Sequence, residues 1–383
     1  MKTIMEVEPI TQWNKYKSRP LVISGPCSAE TEGQLVSTAL ELAASGKVDV
    51  IRAGLWKPRT RPGTFEGVGG AGLPWLKRVK EETGLGIATE VANARHVYEA
   101  LKYGVDHIWI GARSTANPFV VQEIADALQG SDVTVLVKNP VNPELELWMG
   151  AIERLQKAGI RKIGAIHRGF SSYEKTPYRN IPHWLIPIEL KQRIKNLPVI
   201  CDPSHICGNR SLLFEISQKA MDLNFDGLML ESHLDPDNAL SDAAQQITPG
   251  TLQCLLSRLV MRDPEPANGP LLDELEELRR KIDLYDEQLI DTLEQRMMVA
   301  QSIARHKKQN NITILQARRW AEVVKKNVAI AEKKGLSPDF MNNILRFIHQ
   351  ESINHQNLIM NEPSMLPEAR ENSPELSAAE KAV

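Results

Sequence analysis

From Leu21 onwards the chain alternates short apolar runs with amphipathic segments. The runs Leu21–Ser24, Val50–Ala53, Gly86–Thr89, His107–Ile110, Val133–Val137, Ile163–Ile166, Pro198–Cys201 and Gly227–Leu230 predict eight strands. Between them, segments such as Glu32–Ser45, Leu73–Thr83 and Ala94–Tyr103 are long enough for crossover helices. Eight strand–helix units over about 250 residues predict an α/β fold of the (β/α)8 TIM-barrel type. An open doubly wound sheet is the rival, but no glycine fingerprint follows the first strand.

Strand patterns stop at a polar, proline-rich stretch, residues 263–270, which reads as a linker. Beyond it, Leu275, Leu278, Ile282, Tyr285, Leu289 and Leu293 step by three and four, giving one apolar stripe on a helix from Leu271 to about Gln309. At about 58 Å this helix is too long to be buried alone and is expected to pack against partners along its length. A second helix runs from Leu315 to Lys334, closed by Gly335, and Ser337-Pro338-Asp339 opens a third that reaches Met360. The expected divisions are a barrel over 1–262, a linker, an all-α three-helix domain over 271–360, and a disordered tail over 361–383.

Composition narrows the class. A length of 383 residues allows two domains, and a net charge of -2 gives no reason to expect nucleic acid or an acidic membrane as partner. No apolar run in Met1–Pro20 suits a signal peptide or membrane span. Four cysteines without a Cys-x-x-Cys pair suit a reducing cytoplasm.

The barrel reading demands chemistry just after each strand. Cys27 follows the first, and Arg52 through Thr60 end and follow the second. Glu90 ends the third and Arg113 follows the fourth. Lys138 ends the fifth, His167 and Arg168 the sixth, Asp202 and His205 the seventh, and Glu231 and His233 the eighth. Cys27, His205, Glu231 and Asp242 offer a mixed sulfur, nitrogen and oxygen donor set, suited to a divalent Mn, Fe, Co or Zn ion and not to Mg. Arg52, Lys57, Arg59, Arg113, Lys138 and Arg168 bring positive charge to the same mouth, which implies small substrates carrying more than one anionic group.

On the long helix, Arg279, Arg296 and Lys307 are 17 and 11 positions apart, returning to within about 20° of one azimuth at the edge of the apolar stripe. Arg296 and Lys307, about 16 Å apart along the axis, can converge on one small anion. Arg279 is too far back to join them, unless an antiparallel partner helix supplies its own copy. That hints at a homodimer through the helical domain with shared sites.

Gly25-Pro26-Cys27-Ser28, Arg52 with Lys57-Pro58-Arg59-Thr60, Gly111-Ala112-Arg113, Asp202-Pro203-Ser204-His205 and Leu240-Ser241-Asp242 occur in order. Over residues 20 to 262 they resemble 3-deoxy-D-arabino-heptulosonate 7-phosphate (DAHP) synthase of type I, β subgroup. The resemblance implies metal ligands Cys27, His205, Glu231 and Asp242. It places phosphoenolpyruvate on Arg52, Lys57, Ala112, Arg113, Lys138 and Arg168, and erythrose 4-phosphate on Pro58, Arg59, Thr60 and Asp202. Lys57, between the two substrates, is the expected proton donor. Departures are Arg61-Pro62-Gly63-Thr64-Phe65-Glu66 after Thr60, His167 before Arg168, and Asn139-Pro140 after Lys138. The runner-up is 3-deoxy-octulosonate 8-phosphate synthase, against which Arg59-Thr60 argues.

Residues 271 to 357 resemble chorismate mutase of the all-helical AroQ class. Carried across, the chorismate contacts are Arg279 of the partner chain, Arg296, Lys307, Arg319, Ser352 and Gln356, with Arg296, Lys307 and Gln356 catalytic. Gln316 and Trp320 depart from the acidic residues usual there. The expectation is a bifunctional enzyme of aromatic amino-acid synthesis, whose helical domain also mediates inhibition by prephenate or chorismate. With about 20 residues before the first strand, that domain is the expected sensor. The alternative makes the helical domain a regulatory or dimerising module only.

Overall fold

The computed structural model describes residues 5–13, 16, 18–57, 63–173, 175–263 and 269–361. The expectations for Pro58, Arg59 and Thr60, for most of the linker and for a disordered tail fall outside them. The chain divides into two compact units, Met1–Pro264 and Glu265–Val383.

The first unit is a closed barrel of eight parallel strands: β1 (Leu21–Gly25), β2 (Val50–Arg52), β3 (Gly86–Val91), β4 (His107–Ile110), β5 (Thr134–Lys138), β6 (Ile163–His167), β7 (Val199–Cys201) and β8 (Gly227–Glu231). Neighbours follow sequence order, and β8 closes on β1 through Gly227↔Leu21 to Glu231↔Gly25. A helix follows each strand: α1 (Glu32–Ala44), α2 (Leu73–Thr83), α3 (Ala94–Lys102), α4 (Pro118–Ala127), α5 (Leu145–Lys157), α6 (Leu185–Arg193), α7 (Leu213–Asp222) and α8 (Pro249–Arg258). The eight predicted strands and the barrel are all present. Glu90 lies inside β3, which continues to Val91, and does not end it.

Two apolar layers make this architecture. One set of strand residues, including Leu21, Ile23, Val50, Ala88, Trp109, Leu136, Ile166, Ile200 and Met229, fills the barrel's own core. The alternating set, such as Val22, Ile51, Ile87, Ile108, Val135 and Leu228, meets the helices. Period-2 alternation with both faces covered is why the strands read as continuous apolar runs.

The second unit is three helices: α9 (Gly269–Gln309), α10 (Ala317–Lys333) and α11 (Pro338–Met360). Ser337 caps α11 by accepting from the Phe340 amide, with Pro338 at its first position. Gly335, at φ +79, follows the end of α10. Along α9 the stripe is open: Leu278, Ile282, Tyr285 and Leu289 are 49%, 58%, 63% and 60% exposed. Among the described residues of α9 only Ala300 and Ala304 are buried.

Candidate active sites

At the carboxyl ends of the strands, each polar group is set by local sequence. Asp202 caps a short helix, Pro203–Cys207, by accepting from the His205 amide, and Gly208 at φ +67 ends it. That turn puts His205 over the barrel, where its Nδ1 stands 2.8 Å from Asp202 Oδ2. Ser204 Oγ accepts from the Glu231 amide at 2.9 Å, tying the end of β7 to the end of β8. Gln246 accepts from the Cys27 amide at 3.0 Å and donates to the Ser241 carbonyl, so β1 and the Asp242 loop are held together.

Cys27 Sγ and one carboxylate oxygen each of Glu231 and Asp242 lie within 4.8 Å of one another. His205 is outside that group, but its Nε2 is 3.8 Å from Glu231 Oε1. Glu231 Oε1 is buried with no hydrogen bond, although the Arg52 guanidinium comes to 3.1 Å. A mixed donor set around an incompletely bonded buried oxygen fits a borderline divalent ion. Burial alone would raise Glu231, yet His205 and Arg52 outweigh it and hold the carboxylate ionised. Burial likewise opposes the charge of Asp242, which His205 and Arg179 pull far down. Burial first, then Glu231, pushes the Cys27 thiol up to about 12.

Beside this cluster lies a cavity of about 540 Å³. Lys57, Ala112, Arg113, Lys138 and Arg168 line it, five of the six residues expected to hold phosphoenolpyruvate. The sixth, Arg52, sits beneath, 1% exposed, with its guanidinium 4.9 Å above the Trp109 ring. Burial, then Arg179 and Arg113 against the pull of Asp202, lowers Arg168 to about 10, which leaves it charged at neutral pH. Lys57 donates to the Cys27 carbonyl at 2.5 Å and to its sulfur at 3.1 Å. Its path exists because residue 54 is glycine, where a Cβ would lie 2.7 Å from Lys57 Cε and Nζ.

The resemblance places the aldose at Asp202. That residue is fully buried, and its carboxylate is taken by His205 and, at 3.0 Å, by Lys138. In this arrangement it orients a histidine and a lysine. Sequence reasoning missed Arg179, which lines the cavity and donates at 2.9 Å to both Asp242 and Gln245. It also missed Gln245, which donates to Glu231 at 2.7 Å.

In the helical unit, α9 and α11 bring four predicted residues together. Arg296 donates to Ser352 Oγ. Lys307 donates to Gln356 Oε1 at 3.3 Å and to the Ile314 carbonyl at 2.6 Å. Ser352 and Gln356 are buried, one turn apart on α11. Burial lowers both Arg296 and Lys307. Within one chain Arg279 and Arg319 do not join them: each is exposed and faces a neighbour on its own helix, Glu276 and Glu322.

A closed parallel barrel with cations and metal-type donors gathered over its strand ends defines a (β/α)8 enzyme architecture for anionic substrates. Residues 11–262 match the model of the DAHP synthetase I family, and residues 278–357 match that of chorismate mutase type II. The chain belongs to the DAHP synthetase I family and carries a C-terminal segment of the chorismate mutase type II kind. Among its relatives, the phospho-2-dehydro-3-deoxyheptonate aldolase of Thermotoga maritima is 31% identical over 245 residues, 64% of this chain and 69% of that protein. A 2-dehydro-3-deoxyphosphooctonate aldolase of Desulfotalea psychrophila is 28% identical over 258 residues, 63% of this chain and 88% of that protein. A crystal structure of the Thermotoga maritima DAHP synthase superposes with a TM-score of 0.57 at 29% identity, covering 62% of this chain and 67% of that one.

Proposed function

We propose that the barrel condenses phosphoenolpyruvate with erythrose 4-phosphate to DAHP and phosphate, and that the helical unit rearranges chorismate to prephenate. One observation carries the first reading: the cavity between Arg113, Lys138 and Arg168 opens beside Cys27, Glu231 and Asp242. Arg113, Arg168 and Lys138 would grip the phosphate and carboxylate of phosphoenolpyruvate, with Arg52 adding charge from below. Pro58, Arg59 and Thr60 would hold the aldose. Cys27, His205, Glu231 and Asp242 would hold a divalent Mn, Fe, Co or Zn ion, which supplies Lewis acidity at the aldehyde oxygen. C3 of phosphoenolpyruvate attacks the aldehyde carbon, water takes the cationic C2, and phosphate leaves. Lys57, kept protonated by Cys27 and Glu231 against its burial, gives its proton to the new alkoxide.

In the helical unit no covalent step is needed. Arg296 and Lys307 hold the carboxylates in a reactive conformer, and Lys307 with Gln356 faces the breaking ether oxygen. The open stripe of α9 supports a homodimer in which the partner's α9 supplies Arg279.

The runner-up, an octulosonate synthase, has relatives at 28% identity or below, against 31% for the heptonate enzyme. Phosphate release with erythrose 4-phosphate should exceed that with arabinose 5-phosphate by well over tenfold; equal rates would sink the assignment. The reading also includes feedback: prephenate or chorismate in the helical unit slows the barrel. Arg296→Ala should abolish that inhibition and leave the barrel's basal rate alone. Inhibition that survives the substitution would refute it.

A further inference from the structure

The helical site contains an imidazole with no assigned role. His349 precedes Ser352 by three residues and Gln356 by seven, so the three share one face of α11. That face receives Arg296 and Lys307 from α9. Trp320 of α10 lies flat on the His349 ring, with centroids 3.9 Å apart and planes 9° apart. The stack fixes the plane of the ring and leaves its edge for polar bonding. On that edge Nε2 is buried and has no hydrogen-bond partner among the described residues. A buried polar atom left in that state is unfavourable until something completes it. Burial first, then the charges of Arg296 and Lys307, push His349 below the ordinary imidazole range, which favours the neutral ring.

A ring that two nearby cations hold towards neutrality suits a neutral group. Arg296 and Lys307 are the matches for carboxylates. An imidazole nitrogen donates or accepts according to tautomer, and a hydroxyl can answer either. We propose that His349, held by Trp320, binds the ring hydroxyl of the substrate in the helical site and so makes that site selective for a hydroxylated dicarboxylate. This rests on the mutase reading above.

His349→Phe keeps a flat ring for Trp320 and removes Nε2. In the full-length protein, kcat/KM should be measured with chorismate and with an analogue lacking the ring hydroxyl. The variant should lose about tenfold on chorismate, mostly through KM, and nothing on the analogue. His349→Gln, whose amide can reach the place of Nε2, should recover part of the loss; circular dichroism and the barrel rate confirm that both variants fold. Equal losses on both substrates, or none on either in an active wild-type enzyme, overturn the role of His349 alone. A wild-type protein that leaves chorismate unchanged overturns the mutase reading, and this inference with it.

Discussion

Arg168, Arg113, Lys138, Lys57 and Arg179 face one cavity, and among the described residues only Glu90 and Asp242 line it with negative charge. In a chain of net charge -2 this crowding is local, and it favours any anion that enters. The carboxylates nearby are oriented by neighbours: Asp202 meets His205 and Lys138, Asp242 meets Arg179, and Glu231 meets Arg52 and Gln245 while its Oε1 stays without a hydrogen bond. Away from the site, burial lowers His107, on β4, to about 4, against 6.5 for a free imidazole. Between those values the unfolded chain binds more protons than the fold, so stability rises with pH and falls on acidification from 6.5 towards 4, by at most about 1.4 kcal/mol per pH unit. Denaturant titrations of wild type and His107→Leu across that window should diverge, the variant being less steep. Parallel curves would show that His107 does not carry the effect. Residues at strand ends were legible because the barrel fixes where they point. Arg179 and Gln245 were not, because they sit in loops with no periodicity, and only tertiary closure brings them to the carboxylates. His349 was not legible because only the packing of α10 on α11 brings Trp320 flat against its ring.

At the scale of elements, the eight strands were readable within a residue or two because each is a buried apolar run between turn residues. Boundaries slipped where the barrel ladder outlasts the apolar run, as at Glu90–Val91 in β3 and His167 in β6. The three helices were readable from periodicity and from caps at Gly335 and Ser337. What the spacing of Arg279, Arg296 and Lys307 could not give is the partner face. Arg296 and Lys307 meet α11, while Arg279 stands exposed on the open half of α9. If that half docks on a second copy, Arg279→Ala and Arg296→Ala should each be inactive as mutases alone. Mixed, dissociated and reassociated in equal amounts, they should regain about a quarter of the wild-type rate, since half the dimers carry one complete site. No recovery from a mixture shown to exchange subunits would place Arg279 outside the site.

At the scale of the whole molecule, two units with different chemistry lie on one chain. The first gathers sulfur, imidazole and carboxylate donors beside a cavity lined with cations; the second brings Arg296 to Ser352 and Lys307 to Gln356, with fixed charges and hydrogen bonds alone. The central claim is that one chain performs one metal-assisted and one metal-free reaction. The most direct test assays both on the same full-length preparation, before and after EDTA and after a divalent ion is restored. Phosphoenolpyruvate consumption should fall to background with EDTA and return with Mn, Fe, Co or Zn, while chorismate disappears at an unchanged rate throughout. A condensation rate untouched by prolonged chelation, or a mutase rate lost with it, would contradict the account.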